Sequence, residues 1–255
     1  MFDHVGLWVS DRAASERFYR TVLGALGVEQ PPVEPASPYV EWNDLAIGHA
    51  PDRPVTTGVH LGLVAPSVEA IHAFWQAGVD AGFASDGEPG PRPVYGDDYV
   101  GAFLLDPDGN SIEAMRHEHM RTDGGLIDHV TVGVDDLAGV TAFYDLVAPH
   151  AGYARRHADD TLTRWRNTRG EGRDGGSFTM IADGRPPARN VHMAIGVADH
   201  ATVDAFHAAA VAAGYPDHGA PGERPVYHPG YYAAYVLDPS GHNIELVDHG
   251  GHPGT

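Results

Sequence analysis

Two stretches 132 residues apart carry the same punctuation: "PGPRPVYGDDYVGAFLLDPDGNSIE" from Pro89 and "PGERPVYHPGYYAAYVLDPSGHNIE" from Pro221. The same offset carries "GVHLGLVA" at Gly58 onto the segment around His192, and "FDHVGLWVSD" at Phe2 matches "IDHVTVGVDD" at Ile127. A fixed period of this kind means one supersecondary plan used twice. The reading is a tandem duplication, 1–120 and 126–250, joined by the polar "HMRTDGG" stretch. The offset at the start of each half is 125 residues, so insertions lie between, "RGEGRDGG" (169–176) being the clearest.

Within each half a strand, a helix and further strands recur. Asp11 and Ser67 stand as N-caps before apolar residues at helical spacing, and "DDLAGVTAFYDLV" and "DHATVDAFHAAAVAAG" repeat the pattern. Short alternating segments such as "YVEWND", "LAIGH", "TLTRWRN" and "SFTMIA" follow the first helix of each half. This predicts an α+β fold of four β-α-β-β-β modules. Each half also has an Asp-Pro-x-Gly turn, at Asp106 and Asp238, then a strand with a carboxylate at its centre, Glu113 or Glu245.

Strand alternation explains the buried carboxylates. His60 shares a face with Gly62, His192 with Ala194 and Gly196, His129 with Thr131 and Gly133, and His4 with Gly6, while the opposite faces are aliphatic. Helices would cover the aliphatic side, leaving a concave face lined by small residues, His and Glu. A carboxylate buried there needs a compensating charge. Each half supplies two imidazoles and one carboxylate: His4, His60 and Glu113 in the first, His129, His192 and Glu245 in the second. Such a set, with open positions, suits a divalent ion: Fe(II) foremost, and also Mn, Ni, Co or Zn.

From "FDHVGLWVSDRAASERFY" to "DPSGHNIELVDH" the chain resembles the vicinal oxygen chelate superfamily, which includes glyoxalases, extradiol dioxygenases, fosfomycin-resistance enzymes and bleomycin-binding proteins. The resemblance implies two fused domains whose four modules form two U-shaped mixed sheets with helices on their outer faces. It also implies a divalent metal that holds a small-molecule substrate through neighbouring oxygens. Glyoxalases usually add a fourth carboxylate ligand, but the corresponding segments read "LAIGHAP" and "FTMIADG", with only His49 as a substitute. Three ligands favour dioxygenase-type chemistry; a glyoxalase-like lyase or isomerase and a non-catalytic drug-binding or resistance protein are the alternatives. The second half also resembles the extradiol signature at Val226, His228, Tyr235, Asp238, Pro239, Gly241 and Glu245, departing from it at Ala234. By that analogy His228 and Tyr235 are catalytic groups beside the metal, and the first half has Gly96 and Phe103 in their places. Arg224 of the repeated "RPVY" and Tyr231 are candidate substrate-binding residues.

Composition removes several function classes. The formal charge of −19 repels nucleic acid and anionic membranes. Cysteine is absent, and all 16 basic residues are Arg, so thiolate and lysine Schiff-base chemistry are excluded. No signal-peptide pattern or membrane-length apolar run is present, so the expectation is a cytoplasmic monomer or homodimer. The tail "DHGGHPGT" reads as disordered, with His252 outside any ligand set.

Overall fold

The computed structural model describes residues 2–33, 37–121, 124–168 and 176–251. Most of the 169–176 insertion, and His252, lie outside them. The first half runs β1 (Phe2–Trp8), α1 (Arg12–Ala25), β2 (Tyr39–Trp42), β3 (Leu45–Gly48), β4 (Val59–Val64), α2 (Val68–Asp80), β5 (Ser85–Pro91), β6 (Val100–Leu105) and β7 (Ser111–Arg116). The second runs β8 (Ile127–Gly133), α3 (Leu137–Val147), β9 (Tyr153–Ala158), β10 (Leu162–Asn167), β11 (Ser177–Ile181), β12 (His192–Gly196), α4 (His200–Ala212), β13 (Asp217–Glu223), β14 (Tyr232–Leu237) and β15 (Asn243–Asp248).

The helix starts follow their caps. Asp11, Ser67, Asp136 and Asp199 each accept a hydrogen bond from a backbone N–H in the first turn, satisfying a donor the helix leaves open. The Asp-Pro-x-Gly turns are fastened to these helices. Tyr19 of α1 donates to Asp106 at 2.9 Å, and Tyr144 of α3 donates to Asp238 at 3.3 Å.

The strand order corrects the expected grouping of the halves. One sheet has seven strands, β13-β14-β15-β12-β1-β3-β2, and the other eight, β5-β6-β7-β4-β8-β11-β10-β9. Each sheet therefore joins one module from the first half to one from the second. The seams are antiparallel pairs, β1 with β12 and β4 with β8, placing His4 opposite Ala194 and Gly62 opposite His129. The helix pairs connect the sheets: α1 packs on α2 and α3 on α4. Phe18, Trp42, Phe74, Phe143, Trp165 and Phe206 accordingly belong to one continuous apolar cluster.

The described residues on either side of the junction between the halves are anchored. Arg121 is buried and paired with Asp44, which also accepts from the backbone N–H of Leu126 and Ile127 at 3.0 and 3.1 Å. The ion pair ties the start of the second half to the β2–β3 turn of the first. The start of the tail is likewise built in: Asp248 closes β15 and His249 bonds Asp3 at 2.6 Å, correcting the expectation of a tail disordered from Asp248. Among the described residues, no helix is long and apolar enough to cross a membrane.

Candidate metal centres

Because the sheets cross the halves, so do the histidine and glutamate groups. His4 on β1, His192 on β12 and Glu245 on β15 converge in the seven-stranded sheet, and His60 on β4, Glu113 on β7 and His129 on β8 converge in the other. All six residues singled out from the sequence are used, but the expected sets, each within one half, are exchanged. His4 and His192 join Glu245, while His129 joins His60 and Glu113.

The two groups have nearly the same dimensions. In the first, the Nε2 atoms of His4 and His192 are 3.0 Å apart, and they lie 3.8 and 3.2 Å from Glu245 Oε2. In the second, the Nε2 atoms of His60 and His129 are 3.2 Å apart, and they lie 3.2 and 3.4 Å from Glu113 Oε2. Ligands about 2.1 Å from one ion, at tetrahedral or octahedral angles, are roughly 3.0–3.4 Å apart. The His60 set lies within that range, and the His4 set does so except for the 3.8 Å between His4 and Glu245, so both turn three donor atoms to one point that fits a divalent ion.

The outer partners set that orientation. His4 Nδ1 donates to Asp3 at 2.8 Å and His129 Nδ1 donates to Asp128 at 3.1 Å. His192 Nδ1 lies 2.9 Å from the Asn243 side-chain amide nitrogen and 3.2 Å from the Asn243 carbonyl. His60 Nδ1 lies 3.1 Å from the Ser111 hydroxyl, whose own proton goes to Asp86. With Nδ1 of His4, His60 and His129 each on an acceptor and Nδ1 of His192 engaged by Asn243, all four rings turn Nε2 to the centre, as metal-binding imidazoles require.

The spare oxygen of each glutamate is held by a tyrosine. Tyr231 donates to Glu245 Oε1 at 2.6 Å, and Tyr99 donates to Glu113 Oε1 at 2.9 Å. Tyr231 was expected to bind substrate; its ring is buried and its hydroxyl is spent on the carboxylate. Tyr99 was not singled out, although the 132-residue offset places it on Tyr231. Replacing Tyr231 with Phe should weaken metal binding at the His4 group by about 10–100-fold, and Tyr99→Phe should do the same at the His60 group. Competition with a chromophoric chelator measures both; unchanged affinities would remove the tyrosines from the design.

The groups are strongly polarised. Burial pushes the Glu113 carboxyl up, but hydrogen bonds from His129 and His60 outweigh it and hold the group down to about 2. Burial pushes His129 down, while the Asp128 and Glu113 contacts raise it to about 9. Glu245 is lowered for the same reason as Glu113, with His192 as its strongest hydrogen-bond partner. Small residues admit the ligands: a Cβ on Gly62 would collide with the His129 ring, and one on Gly101 with Glu113 Oε1.

The remaining predicted site residues lie around the His4 group. Tyr235 pairs across the ladder with Glu245, and burial together with the Glu245 charge raises its phenol. His228 stacks on His249 at 5.1 Å and is joined to His4 through His249 and Asp3, by contacts of 2.9, 2.6 and 2.8 Å. Neither His249 nor Asp3 was foreseen. Arg224 gives its guanidinium to the Ala220 and Glu223 carbonyls and lies 5.6 Å from the Tyr235 ring centre, and Arg92 repeats this over Phe103. His49 bonds the Val9 carbonyl at 2.9 Å and joins neither group. Next to the strands of His4 and His129, the adjoining strand presents Ala46 and Gly48 on β3, or Ser177 and Thr179 on β11. No carboxylate faces the site from those strands.

A pair of mixed sheets, each carrying a His-His-Glu group, defines the class of protein. Residues 1–114 match the family described as the Glyoxalase/Bleomycin resistance protein/Dioxygenase superfamily. Glyoxalase I from Zea mays has the same fold at 20% identity and a TM-score of 0.66, covering 97% of this chain and 92% of its own. A candidate dioxygenase from Bacillus subtilis is similar at 16% identity and a TM-score of 0.67, over 99% and 86% of the two chains. No curated protein matches the chain in sequence.

Proposed function

We propose that the chain is a metal-dependent enzyme acting on a small organic molecule held through two neighbouring oxygens, with oxygenase-type chemistry at a three-ligand Fe(II) site. The observation that carries this reading is the duplicated group of two Nε2 atoms and one carboxylate oxygen, with no fourth carboxylate on the adjoining strand. His4, His192 and Glu245, and likewise His60, His129 and Glu113, would hold the ion, which would supply positive charge to the oxygens of a bound substrate.

The chain's own residues do the rest. Asp3 and Asp128 hold the imidazoles in register, and Tyr231 and Tyr99 prevent the carboxylates from turning both oxygens inward. Tyr235 stands opposite Glu245 in the ladder, where burial and the Glu245 charge and hydrogen bond raise its phenol, so its role is that of a hydrogen-bond donor beside the centre. Phe103 occupies the matching position of the second group, opposite Glu113, and has no proton to give. The His4 group is thus the better equipped of the two.

Purification without oxygen, Fe(II) loading and an oxygen electrode test the reading against a panel of catechols and α-hydroxyketones. Oxygen uptake that is lost in Glu245→Ala and reduced by about tenfold or more in Tyr235→Phe is expected, since a positioned proton donor contributes ~10²–10⁴-fold. Turnover of a hemithioacetal without oxygen uptake would assign lyase chemistry instead. A chain that takes up no metal would be a binding protein.

A further inference from the structure

The walls of the two cavities differ in charge at one equivalent position. In the eight-stranded sheet, Thr131, Thr179 and Arg164 are paired in register on β8, β11 and β10, and they share the face of His129, two residues before Thr131. In the seven-stranded sheet, Gly6, Ala46 and Glu41 occupy the same row on β1, β3 and β2, beside His4. The buried tryptophans Trp42 and Trp165, directly after Glu41 and Arg164, fix the equivalence. The row beside His4 thus ends in the exposed carboxylate of Glu41, whose charge reaches His4, where the row beside His129 ends in the half-buried guanidinium of Arg164.

Arg164 is half-buried and positioned. Its Nε donates to the Thr179 hydroxyl at 3.0 Å, which orients the fork, and no described carboxylate lies within ion-pair distance of it. The nearby polar groups are Arg166, two residues on and on the same face, and the neutral phenols Tyr95 and Tyr99, the latter donating to Glu113. A half-buried guanidinium with no anionic partner among the described residues is a receptor for a planar anion. Two strand spacings, about 10 Å of backbone, separate β10 from β8, and the Arg side chain spans part of that gap.

We infer that Arg164 makes the His60–Glu113–His129 cavity a site for acids, ligands whose carboxylate lies beyond the two chelating oxygens, while Glu41 makes the His4–His192–Glu245 cavity reject them. The two cavities of one chain then select different ligands. This rests on the metal reading above, and the test separates the two.

The probes are acetohydroxamate, a neutral two-oxygen chelator, and succinohydroxamate, which adds a terminal carboxylate. Each is titrated into Co(II)-loaded protein and followed by the cobalt visible spectrum and by calorimetry. With only the His60 group functional, in Glu245→Ala, the carboxylated probe should bind about tenfold more tightly than the neutral one, the value of one charge-assisted hydrogen bond. Arg164→Gln in that background should abolish the preference, with cobalt stoichiometry and acetohydroxamate affinity unchanged. With only the His4 group functional, in Glu113→Ala, the neutral probe should bind better, and Glu41→Gln should narrow the difference. Cobalt uptake with no carboxylate preference at the His60 group, or a preference that survives Arg164→Gln, would overturn the inference alone. No cobalt uptake at either group would overturn the metal reading and the inference with it.

Discussion

His4→Ala combined with Glu245→Ala should leave one divalent ion bound per chain, whereas His4→Ala combined with Glu113→Ala should leave none. The first pair disables a single group; the second disables one ligand in each. Loss of a direct ligand should exceed the roughly 10–100-fold affinity loss typical of an outer partner, so each damaged group should be empty at micromolar metal. His129 is the complementary test: with Glu113→Ala it should cost one ion, and with Glu245→Ala both. Had the ligands been grouped by half, the stoichiometries would reverse, with His4 and Glu113 sharing one ion. Elemental analysis of the four double variants decides between the groupings. Equal loss in all four would mean that the two centres are not independent.

The reason the sequence misleads about grouping is that local pattern specifies faces and not partners. Alternation around His60 and His192 identified the residues on the open face, and Gly62 and Ala194 marked where another side chain must fit. Nothing in that alternation says whether β1 pairs with β4 or with β12, because the duplication makes those two strands alike. The choice is made by contacts between distant segments, among them the Arg121–Asp44 pair and the contact between His249 and Asp3. Helix caps, by contrast, are local, and Asp11, Ser67, Asp136 and Asp199 all stand where the periodicity begins.

Around the site, chemistry was legible as residue type more than as role. Tyr231 was conspicuous as a phenol near the carboxylate, but its bond to Glu245 depends on ladder geometry that no spacing rule supplies. Tyr99 was within reach of sequence reasoning, since the offset that matched Glu113 to Glu245 matches it to Tyr231. The opposed pair Glu41 and Arg164 was hidden by the differing loop lengths, which shift the offset between the segments "VEWN" and "TRWR". Only the common register to Gly6 and Thr131 aligns them.

A fragment of residues 1–121 should not fold as a monomer with a metal site; it should dimerise, with one ion per chain held between two copies. Cut there, the first half loses the partners of β1 and β4, exposing two strand edges backed by Val5, Leu7, Val59, Leu61 and Leu63, all buried in the intact chain. Such edges associate. The duplication supplies the complement: β1 stands to β12 as β8 stands to β4, so β1 of one copy can pair with β4 of the next, in the same antiparallel sense as the present seams. Each composite sheet would then carry His4 of one copy with His60 and Glu113 of the partner subunit. This is the triad read from the half-sequence, realised between chains instead of within one. A closed two-fold pairing satisfies both edges at once, which an open chain of copies would not. Sedimentation and metal stoichiometry of the fragment test this. A monomer that binds one ion through its own His4, His60 and Glu113 would show that the seam between the halves is dispensable.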